Sequence, residues 1–182
     1  MPVNTNIFMI RHAEKPDALD DKGLSTAGQE RAEAYTIYFQ NVKRGSSIIK
    51  FDYLFAAADS QESHRPRLTI KQLEKALGLS TDVTYKDKDY QNLADAILKN
   101  PKPKPDYNNA NILICWHHGE ILKLAQALGA PAASLPGNWP EDVFGWLLQL
   151  TFDARGNAAM QPIATQKLMY GDYGQDPPAA ST

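Results

Sequence analysis

The stretch Ile7-Phe8-Met9-Ile10-Arg11-His12-Ala13-Glu14-Lys15-Pro16 decides how this chain is read. It opens as a short apolar run with the length and residue types of a buried strand, and it stops abruptly at an Arg-His pair. The residues that follow, Glu14 to Asp21, are polar and turn-like. In an open α/β sheet, ligand sites form at the carboxyl ends of the strands, so this strand delivers a cation and an imidazole to such a place. A second apolar run, Asn111-Ile112-Leu113-Ile114-Cys115-Trp116, ends the same way at His117-His118-Gly119. The chain has four histidines, and three of them stand at these two strand ends. That concentration weakens the alternative of an arginine and a histidine in ordinary surface loops.

The bulk numbers bound the answer. At 182 residues, with 43% apolar and 22% charged residues, the chain has ordinary globular composition and room for one proper core. The 19 basic and 21 acidic residues leave a formal charge of −2, which is no electrostatic footprint for nucleic acid or an anionic membrane. The single cysteine, Cys115, excludes an intrachain disulfide framework and reads as a buried small hydrophobe. No apolar stretch approaches membrane-spanning length, and no secretory leader is evident, so a soluble cytoplasmic protein is the expectation.

Strand-like runs alternate with helical patterns, which predicts a three-layer α/β/α sandwich around a mostly parallel central sheet. Residues 1–174 read as one domain and residues 175–182 as a flexible tail. A helix is expected from Thr26, which has capping-box spacing to Gln29, with Ala34, Tyr35, Tyr38 and Val42 on its apolar face and Gly45 as its stop. Residues 51–57 read as the next strand. The helix after it starts near Pro66 and buries Leu68, Leu73, Ala76 and Leu77 before Gly78. A short strand over Val83 to Tyr85, a helix with Leu93, Ala96 and Ile97, and an extended connector from Pro101 to Pro105 follow. After the 112–115 strand, a helical stripe of Ile121, Leu122, Ala125 and Leu128 ends at Gly129. Val143 to Phe152 and a strand from about Met160 then form a hairpin.

Between the two histidine motifs lies Ser60-Gln61-Glu62-Ser63-His64-Arg65-Pro66-Arg67-Leu68-Thr69, again directly after a strand. If these strands are parallel neighbours, Arg11 and His12, Arg65 with Arg67, and His117 with His118 meet on one edge of the sheet. Guanidiniums offer forked donors suited to phosphate oxygens, and a helix starting after His118 and Gly119 adds backbone N–H groups. Such a pocket suits a phosphoryl dianion. A zinc site from His12, His117 and His118 is the metal-based alternative. Adjacent residues of an extended chain point apart, and no Glu-x-x-His pattern supports it, so no metal is expected.

These residues resemble the histidine phosphatase superfamily, also called phosphoglycerate mutase-like. Arg11-His12-Ala13 is similar to the family's Arg-His-Gly strand end. Leu24-Ser25-Thr26-Ala27-Gly28-Gln29-Glu30-Arg31-Ala32 resembles its Leu-(Ser/Thr)-x-x-Gly-x-x-Arg-Ala helix start. Arg65-Pro66-Arg67-Leu68-Thr69 matches its Arg-x-x-x-Thr element, and Ile114-Cys115-Trp116-His117-His118-Gly119 resembles its second histidine strand. The resemblance implies that His12 is the nucleophile of a phosphohistidine intermediate, that Arg11, Arg65 and His118 bind the phosphoryl oxygens, and that no cofactor is needed. His118, directly before the glycine, is the preferred second histidine over His117. Glu14 and Gly119 are further substrate contacts. The leaving-group acid is Asp87 or Asp89, with Glu14 and Glu120 as competitors.

The expected activity is therefore hydrolysis of a phosphomonoester, either a small phosphorylated metabolite or a phosphorylated side chain. A phosphoglycerate-type mutase and a non-catalytic phosphate-binding module of the same fold are the alternatives; the short chain favours an open-pocket phosphatase. A third reading treats Trp116, Trp139 and Trp146, with the loop from Pro131 to Pro140, as an interaction surface. Trp116 and Trp146 fall in strand runs and read as core or pocket wall, which leaves Trp139 as an exposed contact or one wall of a substrate cleft.

Overall fold

Strand β1, Thr5–Arg11, is buried along its whole length, as an unbroken apolar run requires when both faces of a sheet are covered. The computed structural model describes residues 1–18, 20–99 and 105–178. After β1 come helix α1 (Thr26–Asn41), a small hairpin of β2 (Lys43–Arg44) and β3 (Ser47–Ile48), strand β4 (Tyr53–Ala56) and helix α2 (Arg65–Leu77). Strand β5 (Thr81–Asp82), helix α3 (Tyr90–Lys99), strand β6 (Asn111–Trp116) and helix α4 (Ile121–Ala127) follow. Strands β7 (Trp146–Phe152), β8 (Ala158–Met160) and β9 (Ala164–Thr165) complete the order.

The central sheet runs β5-β4-β6-β1-β7-β8, with β9 also paired to β7. The block β5-β4-β6-β1 is parallel, while β7 lies antiparallel to β1, β8 and β9. Side-chain alternation along β1 divides its residues between two cores. Ile7 and Met9 join Leu93 and Ile97 of α3 and Leu124 of α4. Phe8 and Ile10 join Tyr35 and Phe39 of α1 and Ile70 and Leu73 of α2. Helices thus cover both faces, giving the α/β/α sandwich expected from the sequence.

Local differences from the sequence reading have local causes. Ser25, one residue before Thr26, caps α1: its Oγ accepts the Gly28 amide at 3.0 Å. The buried face of α1 is Gly28, Arg31, Ala32, Tyr35 and Phe39, while Ala34 and Tyr38 are half-buried. In α2, Ile70 is buried and Ala76 exposed. The stripe is rotated because each helix packs against its neighbour helix as well as the sheet. Gly78 caps α2 with φ 66°, whereas Gly45 turns the β2–β3 hairpin at φ 62° instead of stopping α1. The strand expected over Val83 to Tyr85 lies at Thr81–Asp82.

Trp139 is 3% exposed, packs 5.3 Å from the Trp146 ring, and donates Nε1–H to the Val143 carbonyl at 2.7 Å. It is a core residue, which corrects the exposed contact read from the sequence. Gln175, assigned to a flexible tail, accepts the Trp146 Nε1–H at 2.6 Å and the Thr165 hydroxyl at 3.2 Å. Residues 101–104 of the expected connector and 179–182 of the tail lie outside the described residues. Among the described residues no helix is long and apolar enough to cross a membrane.

Candidate active site

The register of the two central strands builds the site. Arg11 at the end of β1 pairs with Trp116 at the end of β6, and the His12 amide donates to the Trp116 carbonyl at 2.9 Å. The residues directly after these partners, His12 and His117, therefore stand side by side on parallel neighbours. Their rings meet edge to face with centroids 5.0 Å apart. His118 is one step out of that alternation. It is half-buried, its Nδ1 is without a partner among the described residues, and its charged neighbours include Arg11, Glu141 and Lys15. The sequence reading preferred His118; the geometry puts His117 against His12.

His12 is 3% exposed, and its Nδ1–H donates to the Ala13 carbonyl at 2.7 Å. Holding the proton on Nδ1 leaves Nε2 as the free, unprotonated nitrogen. Burial drives the His12 basicity well below the ordinary histidine value, and His117, Arg11 and Arg65 push the same way. The Ala13 carbonyl is itself held in place, because the Ala13 amide donates to Thr69 Oγ1 at 2.8 Å. That hydroxyl donates in turn to the Arg65 carbonyl at 2.8 Å, one helical turn back in α2. The Arg65-x-x-x-Thr69 spacing thus couples the start of α2 to the backbone that orients His12. Burial, with Arg65 and His118 nearby, lowers His117 to about 4, so it is neutral in the unliganded protein near neutral pH.

Arg11 is 1% exposed and lies 3.9 Å from the Phe144 ring centroid. Its Nη1 donates to the carbonyls of Pro140, Glu141 and Val143 at 2.7–3.0 Å, and its Nε is buried without a partner among the described residues. Burial lowers its pKa to about 10, still charged at neutral pH. Arg65 also has a buried Nε with no partner among the described residues, and its two terminal nitrogens reach the carbonyls of Asp21 and Glu62 at 3.2 and 3.3 Å. Arg67 instead forms a forked pair with Asp59. Arg65 and His117 border a cleft of about 930 Å³, lined further by Lys22, Ser60, Asp87 and Asp89.

The structure separates the four candidate acids. Asp87 has a buried, unpartnered Oδ1, and burial with Glu120 nearby raises its pKa to about 6. Asp89, two residues on, uses its carboxylate to accept the Lys86 amide at 3.2 Å. Glu120 is paired with Lys123 at 2.8 Å. Glu14, which the sequence reading made a substrate contact, gives both carboxylate oxygens to Arg31 at 2.7–3.0 Å. Gly119 is exposed in the turn before α4, and the next two amides, Glu120 and Ile121, are spent on the His117 carbonyl. The seven-residue α4 therefore supplies no open amides at those two positions. Among the described residues no three His, Cys, Asp or Glu side chains are grouped as a metal ion requires.

The arrangement of this sheet and its helices is shared with solved structures. The fold is that of the histidine phosphatase superfamily. The protein histidine phosphatase SixA, solved in complex with tungstate, matches with TM-score 0.58 and 14% identity over 88% of this chain and 97% of its own. A putative phosphohistidine phosphatase SixA from Agrobacterium tumefaciens matches with TM-score 0.53 and 18% identity over 89% and 98%. A phosphoglycerate mutase from Bacillus anthracis str. Sterne gives TM-score 0.53 and 10% identity over 92% and 96%. No protein-family model and no curated protein matches the chain.

Proposed function

We propose that this protein is a phosphomonoester hydrolase that works through a phosphohistidine on His12. The observation that carries the reading is the His12 ring, locked by the Ala13 carbonyl as an Nδ1–H tautomer and set beside Arg11, Arg65 and His117. Nε2 of His12 forms a bond to phosphorus as the ester P–O bond breaks, and Asp87 gives its proton to the departing oxygen. Water then attacks phosphorus, the P–N bond breaks, and the Asp87 carboxylate takes the water's proton. His12 and the acid are both restored, with inorganic phosphate as product.

In this scheme Arg11, Arg65 and His117 hold the phosphoryl oxygens and offset charge in the transition state. His117 takes the place that the sequence reading gave His118. The buried, unpartnered Nε atoms of Arg11 and Arg65 are the donors such a dianion would satisfy. The SixA neighbour that was complexed with tungstate, an oxyanion of phosphate-like shape, supports the same pocket chemistry. The substrate is a small phosphorylated metabolite or a phosphorylated side chain admitted by the open cleft.

The test is hydrolysis of p-nitrophenyl phosphate with a metal chelator present, comparing wild type with His12→Ala. Chelator-resistant turnover lost in the variant is the expected result. Turnover that survives His12→Ala overturns the reading.

A further inference from the structure

The Asp87 carboxyl must be held over the cleft for its proton to reach a leaving group, and its turn is tied to the core at two places. The Ala58 amide donates to the Tyr85 carbonyl at 2.8 Å, and Trp116 Nε1–H donates to the Asp87 carbonyl at 3.1 Å. Within the turn, Lys86 and Asp89 bond to each other through backbone and side chain. Trp116 is the last residue of β6, fully buried, and directly precedes His117. Its ring belongs to the core on the α3–α4 side of the sheet. One strand end thus places His117 against His12 and, through the indole N–H, pins Asp87, which lines the same cleft as His117.

We infer that Trp116 is the positioning residue for the Asp87 acid, acting through the Asp87 main-chain carbonyl; the inference rests on the phosphatase reading above. With that carbonyl fixed, the carboxyl has only its two side-chain torsions left to explore, and burial keeps it protonated to higher pH. The charged groups around it are Lys86, Lys88 and Asp89 on its own turn and Glu120 and Lys123 at α4, with Arg65 and His117 lining the same cleft. Losing the indole donor frees the turn and lets water reach the carboxyl.

The experiment compares kcat/KM for an alkyl phosphate, β-glycerophosphate, with kcat/KM for p-nitrophenyl phosphate, in wild type and Trp116→Phe. An alkoxide needs the proton to leave, whereas p-nitrophenolate departs without one. A general acid is worth about 10²–10⁴-fold. Displacing it should therefore cost about tenfold or more with the alkyl ester and less than about threefold with the aryl ester. The high-pH limb of the alkyl profile should also move to lower pH, as the carboxyl regains an ordinary acidity. A merely structural role for Trp116 would lower both substrates together and leave the limb in place.

In an Asp87→Asn background, Trp116→Phe should not change the alkyl-to-aryl ratio further. If Trp116→Phe does not fold, benzothienylalanine at position 116 keeps the ring shape and lacks the N–H. An unchanged ratio and profile in an active, folded variant overturns the positioning role alone. A folded wild type inert toward both esters overturns the phosphatase reading and this inference with it.

Discussion

Nη2 of Arg31 lies 2.7 Å from Oδ1 of Asp172, joining residues 141 positions apart, and the same nitrogen lies 2.7 Å from Oε1 of Glu14. Arg31 and Asp172 are both buried. Burial opposes the Arg31 charge, but the bonds it donates to Asp172 and Glu14 outweigh that and raise its pKa. The Leu168 and Met169 amides also donate to Asp172. The cluster therefore locks three separate pieces: the residue two positions after His12, helix α1, and the turn Tyr170–Asp172 near the C-terminus. Asp172→Ala leaves a buried guanidinium with half its partners and should cost about 3–5 kcal/mol in unfolding free energy. Urea denaturation measures it, and a loss below about 1 kcal/mol would show that the cluster is poorly coupled to folding.

The edge-to-face pair of His12 and His117 yields a prediction about the adjacent histidines. His117→Ala should lower kcat/KM for p-nitrophenyl phosphate by about 10²–10³-fold, the worth of one preorganised donor to the transferring group. His118→Ala, one step out of the strand alternation, should lower it by less than about tenfold. Steady-state kinetics of the two variants decide the assignment, and the reverse order would restore His118 as the catalytic partner.

Asp87 should make the fold slightly less stable as pH rises. Its folded pKa of about 6 lies above the ordinary 3.8. Between those values the folded state binds the proton that the unfolded state has released, so stability falls as pH rises through the window. Asp87→Asn removes the effect. After allowance for solvent contact, it should be more stable than wild type by about 1–2 kcal/mol at pH 8 and no more stable at pH 4. Thermal unfolding at the two pH values reads the difference.

His12 and His117 act in the opposite direction. Both are depressed by burial, His117 to about 4. Unfolded histidines take up protons below about 6.5 that the folded ones refuse, so stability is full above that pH and is lost as pH falls toward 4. His117→Gln should flatten this acid limb in a pH series of melting temperatures. An unchanged limb would mean that His117 is not neutral in the folded protein.

Two glycines should respond differently to alanine. A Cβ at Gly28 would stand 2.4 Å from the Glu14 carbonyl oxygen, whereas a Cβ at Gly119 meets nothing within 4 Å. Gly28→Ala should destabilise by about 1–3 kcal/mol, because helix α1 must move away from the strand end that carries His12. Gly119→Ala should be within about 0.5 kcal/mol of wild type. Melting temperatures of the pair check the contrast.

What the sequence determined by itself is what depends on neighbours in the chain. The apolar runs at Ile7 and Ile112 declare buried parallel strands, and the polar residues after them mark their ends. Pro66 and Gly78 bracket α2, and Arg65 four residues before Thr69 is a spacing only a helix makes useful. The α/β/α architecture and the meeting of three strand ends followed from these. Tertiary structure decided whatever depends on pairs far apart in sequence. His117 stands against His12 because Arg11 pairs in register with Trp116. Glu14 is tied up because Arg31, itself held by Asp172 from far along the chain, pairs with it. Asp87 differs from Asp89 because one keeps a buried Oδ1 on a main chain held by Trp116 and the other caps its own turn. Trp139 is core because Trp146 comes back to meet it. Periodicity and spacing report which side a residue faces within its own element; burial and partners are set only when distant elements pack.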